Sequence, residues 1–395
     1  MTQNNQLLHS LTLRNLLSFG PLTPAIPLGP LNVLIGPNGS GKSNFIEAIA
    51  LLRATTGDLR AKGSPVIRGG GITEWIWKGD PRSEAAIDAV ISNPSGRQAL
   101  RHVITFDVLR QAFHLVDEKI ENEKPDAGWP NAYFYYRYQS GHPIVNAKGV
   151  RRELAHENVQ PDMSILAQRR DPDTYPEITY LASVYEQIKV YREWTFGRNT
   201  IFREPQKADL RNDRLEEDFS NLGLFLNRLR GIPRAKKAIL EALRDLYSGL
   251  DDFDVSVEGG TVQVFFTEGD FKIPATRLSD GTLRYLCLLA ILCDPAPPPL
   301  ICIEEPELGL HPDILPKLAD LLVQASEQHT QLIITTHSDI LVDAMTKRPE
   351  AVIVCEKHAG QTELWRLSPE SLAHWLKDYR LGELWTRGEL GGTRW

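Results

Sequence analysis

The run Gly36-Pro37-Asn38-Gly39-Ser40-Gly41-Lys42-Ser43 limits the folds open to this chain more than any other stretch. It satisfies G-x-x-x-x-G-K-[ST] at every fixed position, and its setting matters as much as its letters. Leu31-Asn-Val-Leu-Ile35 before it reads as a short buried strand, and Asn44 to Arg53 after it contains no Pro or Gly and reads as a helix. Strand, glycine-rich loop and helix in that order leave backbone N–H groups free at a helix N-terminus, where the dipole favours an anion. Gly36, Pro37, Asn38, Gly39, Ser40, Gly41, Lys42, Ser43 and Asn44 are therefore expected to cradle the phosphates of ATP. In that arrangement Lys42 reaches the β- and γ-phosphates and the Ser43 hydroxyl ligates Mg²⁺. A glycine-rich turn with an incidental lysine is the alternative, and the flanking strand and helix argue against it.

Two further strands end in reactive side chains. Leu300-Ile-Cys-Ile delivers Glu304 and Glu305 at its C-terminal edge, where ligands bind in open α/β sheets. Neighbouring residues there point in different directions, so Glu304 is expected to join the Mg²⁺ shell while Glu305 polarises the attacking water. Two acids after a strand are also what a solvated strand end carries; the lysine loop shifts the balance. Gln331-Leu-Ile-Ile-Thr-Thr336 ends at His337, expected to donate a hydrogen bond to the γ-phosphate, although a histidine at a strand end is often structural. Glu305, His337 and Lys42 are thus the candidate catalytic residues.

The remaining organisation fits an α/β fold. Leu8 to Leu17 alternates apolar and polar residues, and Ala85 to about Val145 reads as an antiparallel meander. Helices are expected at Pro176 to Trp194, Arg214 to Leu229 and Pro233 to Ser248, none with heptads for a long coiled coil. Phe253 to Phe266 reads as a hairpin turning at Gly259-Gly260. The last third alternates helix and strand: Thr282 to Leu292, Leu300 to Ile303, Asp313 to Gln328, Gln331 to Thr335 and Asp339 to Met345. Such alternation implies a parallel sheet covered by helices. Ala351 to Arg366 reads as another hairpin, before a Trp-rich tail ending at Trp395. The expected division is an N-terminal lobe over 1–170, a helical subdomain over 171–250 and a C-terminal lobe over 251–395.

A net charge of −7 argues against a protein that coats nucleic acid indiscriminately, leaving room for a local basic groove. Cys287, Cys293, Cys302 and Cys355 sit in apolar runs without metal-ligand spacing and read as buried thiols. The polar N-terminus and the lack of a long apolar run point to a cytoplasmic protein with no membrane segment.

Leu278-Ser279-Asp280-Gly281-Thr282, shortly before the acid pair, resembles the signature motif of ABC ATPases. With the other three motifs it resembles the RecF/SMC/OLD-like branch, over nearly the whole chain. The resemblance implies an ABC-type P-loop fold with an antiparallel β subdomain and an inserted helical subdomain. It also implies that Ser279 and Gly281 bind the γ-phosphate of ATP held by an opposing subunit, as a serine N-cap plus free helix amides is suited to do. Leu308-Gly309-Leu310-His311 resembles the loop that touches the partner, with His311 in place of the usual aspartate. Glu304 likewise replaces the commoner aspartate. The resemblance assigns a glutamine to Mg²⁺ and the attacking water, and Gln168 occupies a suitable place; a surface glutamine on a loop is the alternative. The tail from Gly382-Glu-Leu-Trp through Gly391-Gly-Thr-Arg-Trp395 is similar to that of stand-alone ATPases of the AAA group. Too few residues follow His337 for the nuclease domain of OLD enzymes, so an ATPase head without nuclease or arm is expected.

Together these features predict an ATP-hydrolysing switch that dimerises through shared ATP, in DNA repair or anti-phage defence. The alternative is a scaffold holding a separate effector, a nuclease or toxin from a neighbouring gene. Arg228, Arg230, Arg234, Lys236 and Lys237, with the Tyr133 to Tyr138 stretch, are candidates for a DNA or partner surface; a solvated helix and a packed strand are the plainer reading. A transporter subunit fits less well, lacking a Leu-Ser-Gly-Gly-Gln signature. A small-molecule kinase fits less well again, since the paired acids and His337 suit water as nucleophile.

Overall fold

In a computed structural model of the chain, the described residues are 6–139, 141–147, 150–154, 159–160, 162–195, 197, 200–201, 203–328 and 330–392. The end of the tail at Trp395 lies outside them. A six-stranded sheet forms the centre, in the order Lys189–Tyr191, Leu300–Glu304, Gln331–Thr335, Leu31–Ile35, Val352–His358 and Gln361–Arg366. All neighbours are parallel except the last pair, a hairpin turning at Ala359 and Gly360 with φ of 48° and 81°.

Alternation along these strands divides the interior in two, because successive strand side chains face opposite ways. Leu31, Val33, Ile301, Ile303, Leu332, Ile334, Val352 and Val354 face a core built with the helices Leu222–Arg230, Pro233–Leu246, Asp280–Leu292 and Leu315–Gln328. Leu34, Leu300, Cys302, Ile333, Ile353 and Cys355 face a second core, filled by the helix Lys42–Ala54 and an antiparallel sheet. That sheet has eight strands, running Ile26–Pro27, Leu8–Arg14, Ala85–Ile91, Leu100–Leu109, Ala112–Asn122, Phe134–Gln139, His142–Ala147 and Val150–Glu153. A smaller sheet pairs Asp252–Glu258 with one edge of Thr261–Glu268 around the expected glycine turn, while Gln206–Lys207 and Phe271–Pro274 pair with opposite ends of its other edge.

Two expected helices are shorter than the sequence implied. The helix over Pro176 to Trp194 is confined to Pro176–Glu186; Lys189–Tyr191 instead becomes the edge strand beside Leu300–Glu304. Three residues are too few to show a strand period, and their pairing with the acid-bearing strand decides their conformation. The helix expected from Arg214 begins at Leu222, because Asn221 uses its side-chain amide to donate to the carbonyls of Arg211 and Arg214 and to accept from the Glu216 N–H. Phe219 in this stretch is left-handed, with φ of 60°. Among the described residues, no helix is long and apolar enough to cross a membrane. Cys287, Cys302 and Cys355 are buried free thiols, Cys293 is partly buried, and burial pushes the Cys293 and Cys355 thiols up to about 12.

Candidate active site

Parallel strands in a shared sheet bring their C-terminal ends to one edge, and every motif on those strands arrives there. The loop after Ile35 turns through Gly36, Gly39 and Gly41 with φ of 147°, 77° and 106°. Gly36 and Gly41 are also required by space: a Cβ would lie 2.1 Å from the Cys355 carbonyl oxygen at Gly36, and 2.1 Å from Thr362 Oγ1 at Gly41. Thr362 Oγ1 donates to the Ser40 carbonyl at 2.8 Å and shares a hydrogen bond of 2.6 Å with Ser18 Oγ, and Asn44 Nδ2 donates to Ser18 at 2.8 Å. The loop is thus braced from behind by Ser18 and Thr362, which the sequence motif does not contain. Asn44, expected among the phosphate contacts, spends its amide donor on that brace.

Lys42 is buried at the start of its helix, with Nζ donating to the carbonyls of Gly36 at 2.8 Å and Pro37 at 3.0 Å. Burial lowers its pKa, against the opposing pull of Glu305, Glu307 and Glu304. Ser40 Oγ is buried with no hydrogen-bond partner among the described residues. Ser43 is exposed and adjoins Glu304, whose Oε1 is buried with no hydrogen-bond partner among the described residues. Arg192, just past the edge strand, stands 3.5 Å from the other Glu304 oxygen and also binds Glu47 at 2.9 Å. Desolvation holds the Glu304 carboxyl above its usual range, although Arg192 and Ser43 oppose this.

Glu305 follows in the left-handed region at φ 46°, a conformation that costs a non-glycine residue about 1 kcal/mol or more. Its N–H donates to the Thr335 carbonyl at 3.0 Å, and its carbonyl accepts from Arg284. The turn carries the half-exposed Glu305 carboxylate to within 3.6 Å of His337 Nε2. Beneath the pair, Trp194 Nε1 donates to the Glu304 carbonyl at 2.9 Å, and the Arg284 guanidinium lies 4.1 Å from the centroid of the same indole. Burial lowers the Arg284 pKa to about 10.

Glu307 is a site residue the strand-end reading missed. Its buried Oε1 accepts from Thr336 Oγ1 and from the His337 N–H, each at 2.7 Å, tying the acid loop to the histidine-bearing strand end. Burial raises its pKa, and its Oε2 has no partner among the described residues. A third acid two residues after Glu305 was the available signal.

Ser279 caps the helix Asp280–Leu292: its exposed Oγ accepts from the Thr282 N–H at 3.1 Å, and Asp280 is held by Arg203 at 2.6 Å. A Cβ at Gly281 would lie 2.9 Å from the Gly309 carbonyl oxygen, so the loop after the acids rests directly on this helix start. His311 is exposed and caps the short turn Pro312–Ile314 by accepting from the Asp313 N–H. Gln168 is not seen reaching toward the acids. Its amide accepts from the Gln160 N–H at 2.7 Å and donates to the carbonyls of Gln160 and Met163.

Of the cations considered for a DNA or partner surface, Arg228, Arg230 and Lys236 pair with Asp294, Asp254 and Asp252, and Lys237 stands 3.7 Å from Glu241. Tyr136 and Tyr138 are buried, and Tyr135 donates to Asn122. Arg234 and Lys237 are exposed, as is Tyr133.

The residues fit a magnesium nucleotide. Orphaned buried oxygens on Ser40 and Glu304, a cradle that a Cβ would fill, and a hydroxyl–carboxylate pair supply what phosphates and a hard cation require.

The fold is similar to that of a solved SmcHead bound to the C-winged helix domain of ScpA, with a TM-score of 0.56 and 16% identity over 92% of this chain and 99% of that one. It is also similar to the Smc head domain with an extended coiled coil bound to the C-terminal domain of ScpA from Pyrococcus furiosus, with a TM-score of 0.57 and 16% identity over 94% and 99%. In sequence, the chain is 25% identical over 173 residues to the Old nuclease of Escherichia phage P2, covering 38% of this chain and 29% of that protein. It therefore spans less than a third of that relative's length. Residues 31–343 match the family described as "AAA domain, putative AbiEii toxin, Type IV TA system", and the chain belongs to that family, with the ABC-type P-loop fold of SMC heads.

Proposed function

We propose that this chain is an ATP-hydrolysing switch whose nucleotide is shared between two copies. The observation that carries this reading is the exposed helix start at Ser279, an anion-binding group opening to solvent beside Gly309, while Lys42 and the phosphate loop sit at the sheet edge. A second copy presenting Ser279 and Gly281 to the γ-phosphate completes the grip.

In this reading Lys42 leaves the carbonyls of Gly36 and Pro37 to meet the β- and γ-phosphates. Ser43 and Glu304 would hold Mg²⁺, which would supply charge neutralisation at the phosphate oxygens. Glu305 orients and polarises the attacking water, and His337, 3.6 Å away, donates toward the γ-phosphate. Loss of that phosphate removes what both copies grip, and the pair loosens. Gln168 contributes only if it exchanges its bonds to Gln160 and Met163 for the water.

The pathway proposed is DNA maintenance or anti-phage defence, supported by the likeness to a phage Old nuclease and to SMC heads. That a solved SMC head is bound to a ScpA domain supports a partner protein here too, which keeps the effector-scaffold reading in play. Hydrolysis rate measured against protein concentration, with and without DNA, tests both. A second-order rise supports the shared site, and DNA stimulation supports action on DNA. A strictly linear dependence on protein concentration from the dilute limit counts against sharing.

A further inference from the structure

The C-terminal segment was singled out in the sequence, and the ATP mechanism gives it no task. Its short helix Leu381–Thr386 docks on the helix Asp339–Ala344, which follows His337. The fit is close: a Cβ at Gly382 would lie 2.3 Å from the Asp339 carbonyl oxygen, and the Gly382 N–H donates to Asp343 at 2.6 Å. The chain then runs back to the phosphate loop. Buried Trp385 donates from Nε1 to the Gly392 carbonyl at 2.7 Å, and the Gly392 N–H donates to Glu356. Gly392 is left-handed at φ 60°, and a Cβ there would lie 3.2 Å from Gly36 Cα and 2.9 Å from Val354 Cγ1. Gly36 is therefore closed in between the Cys355 carbonyl and Gly392.

We infer that Leu381–Gly392 is a strap that sets nucleotide affinity, by pinning Gly36 at the entry of the phosphate loop to the helix that follows His337. Two bonds to the Gly392 peptide and the absence of its side chain fix where Gly36 sits. Gly36 in turn begins the run of amides expected to wrap the phosphates, and its carbonyl is where Lys42 rests. The inference rests on the reading of that loop as the ATP site.

The test is direct binding of a fluorescent ATP analogue with Mg²⁺ to the full chain, alongside Tm, for Trp385→Phe, Gly392→Ala and Gly259→Ala. Trp385→Phe keeps an aromatic ring, smaller than the indole, and removes the donor to Gly392. Gly259→Ala is the matched control: it imposes a similar backbone strain at φ 58°, with nothing within 4 Å of its Cβ. Trp385→Phe and Gly392→Ala are expected to weaken binding by about 5-fold or more, the worth of one hydrogen bond, while Gly259→Ala lowers Tm and leaves affinity unchanged. Unchanged affinity in Trp385→Phe overturns the strap, and that variant decides alone if Gly392→Ala does not fold. A wild-type chain that binds no nucleotide overturns the ATP reading itself, and the strap with it.

Discussion

The guanidinium of Arg284 stacks 4.1 Å from the ring centroid of Trp194, and each of the two holds one peptide of the acid pair. Trp194 supports the Glu304 carbonyl and Arg284 the carbonyl of the left-handed Glu305. Because Arg284 belongs to the helix capped by Ser279, the proposed trans contact and the support of the proposed catalytic carboxylate share one rigid element. Trp194→Phe keeps a ring for the stack and loses the donor. It is expected to lower kcat roughly 10-fold, the effect of loosening a positioned group, with KM for ATP little changed. Steady-state kinetics of the folded variant check this.

Glu305→Gln keeps a side chain of the same size and removes the charge proposed to polarise water. Hydrolysis is expected to fall by about 10²-fold or more, while ATP accumulates in a stable dimer. Light scattering at saturating ATP reads the dimer directly, and a monomer there counts against the shared site.

Gly281→Ala separates helix propensity from contact. Alanine is favoured over glycine in a helix interior by about 1 kcal/mol, yet its Cβ meets the Gly309 carbonyl oxygen at 2.9 Å. Overpacking of this kind costs roughly 1–3 kcal/mol within the protomer, and the shift of the helix start that relieves it should weaken the ATP-linked dimer of Glu305→Gln by about 5-fold or more when Gly281→Ala is added. Sedimentation in the presence of ATP measures the shift.

How much of this was legible in the sequence follows the range of the interactions. The phosphate loop is specified locally, by glycines whose positive φ the turn demands, so Gly36 to Ser43 read directly. Buried strands with an apolar run, such as Leu300 to Ile303, also read directly. The edge strand Lys189–Tyr191 did not, since three residues carry no period and the strand exists through its pairing with Leu300–Glu304. Arg192 and Trp194, which follow it, reach the acid pair for the same reason. Ser18 and Thr362 brace the phosphate loop across 344 residues of sequence, a contact no local pattern encodes. Glu307 was visible as a letter, but its burial against Thr336 and His337 depends on the neighbouring strand.

Burial holds the Glu304 carboxyl above the ordinary range, so the folded chain keeps that proton to higher pH than the unfolded chain does. The unfolded state then binds fewer protons, and stability without metal falls as pH rises from the ordinary carboxylate value through the raised one. Glu304→Gln removes this penalty. With EDTA present its Tm is expected to exceed that of wild type near pH about 7, and the gap should close below about pH 4, where both states of the wild-type carboxyl are protonated. Calorimetry across that range gives the result, and Mg²⁺-dependent hydrolysis should be lost in the same variant.

Complementation between two inactive variants reaches the shared nucleotide most directly. Lys42→Ala and Ser279→Arg each spoil every site when pure, because each site takes one of these residues from each copy. Mixed in equal amounts, half the dimers are hybrids and each hybrid holds one intact site, so about a quarter of wild-type hydrolysis should return. No recovery at any mixing ratio, from two variants that fold and pair normally, means that the lysine and the serine act on nucleotide within a single protomer, and the switch described here does not exist.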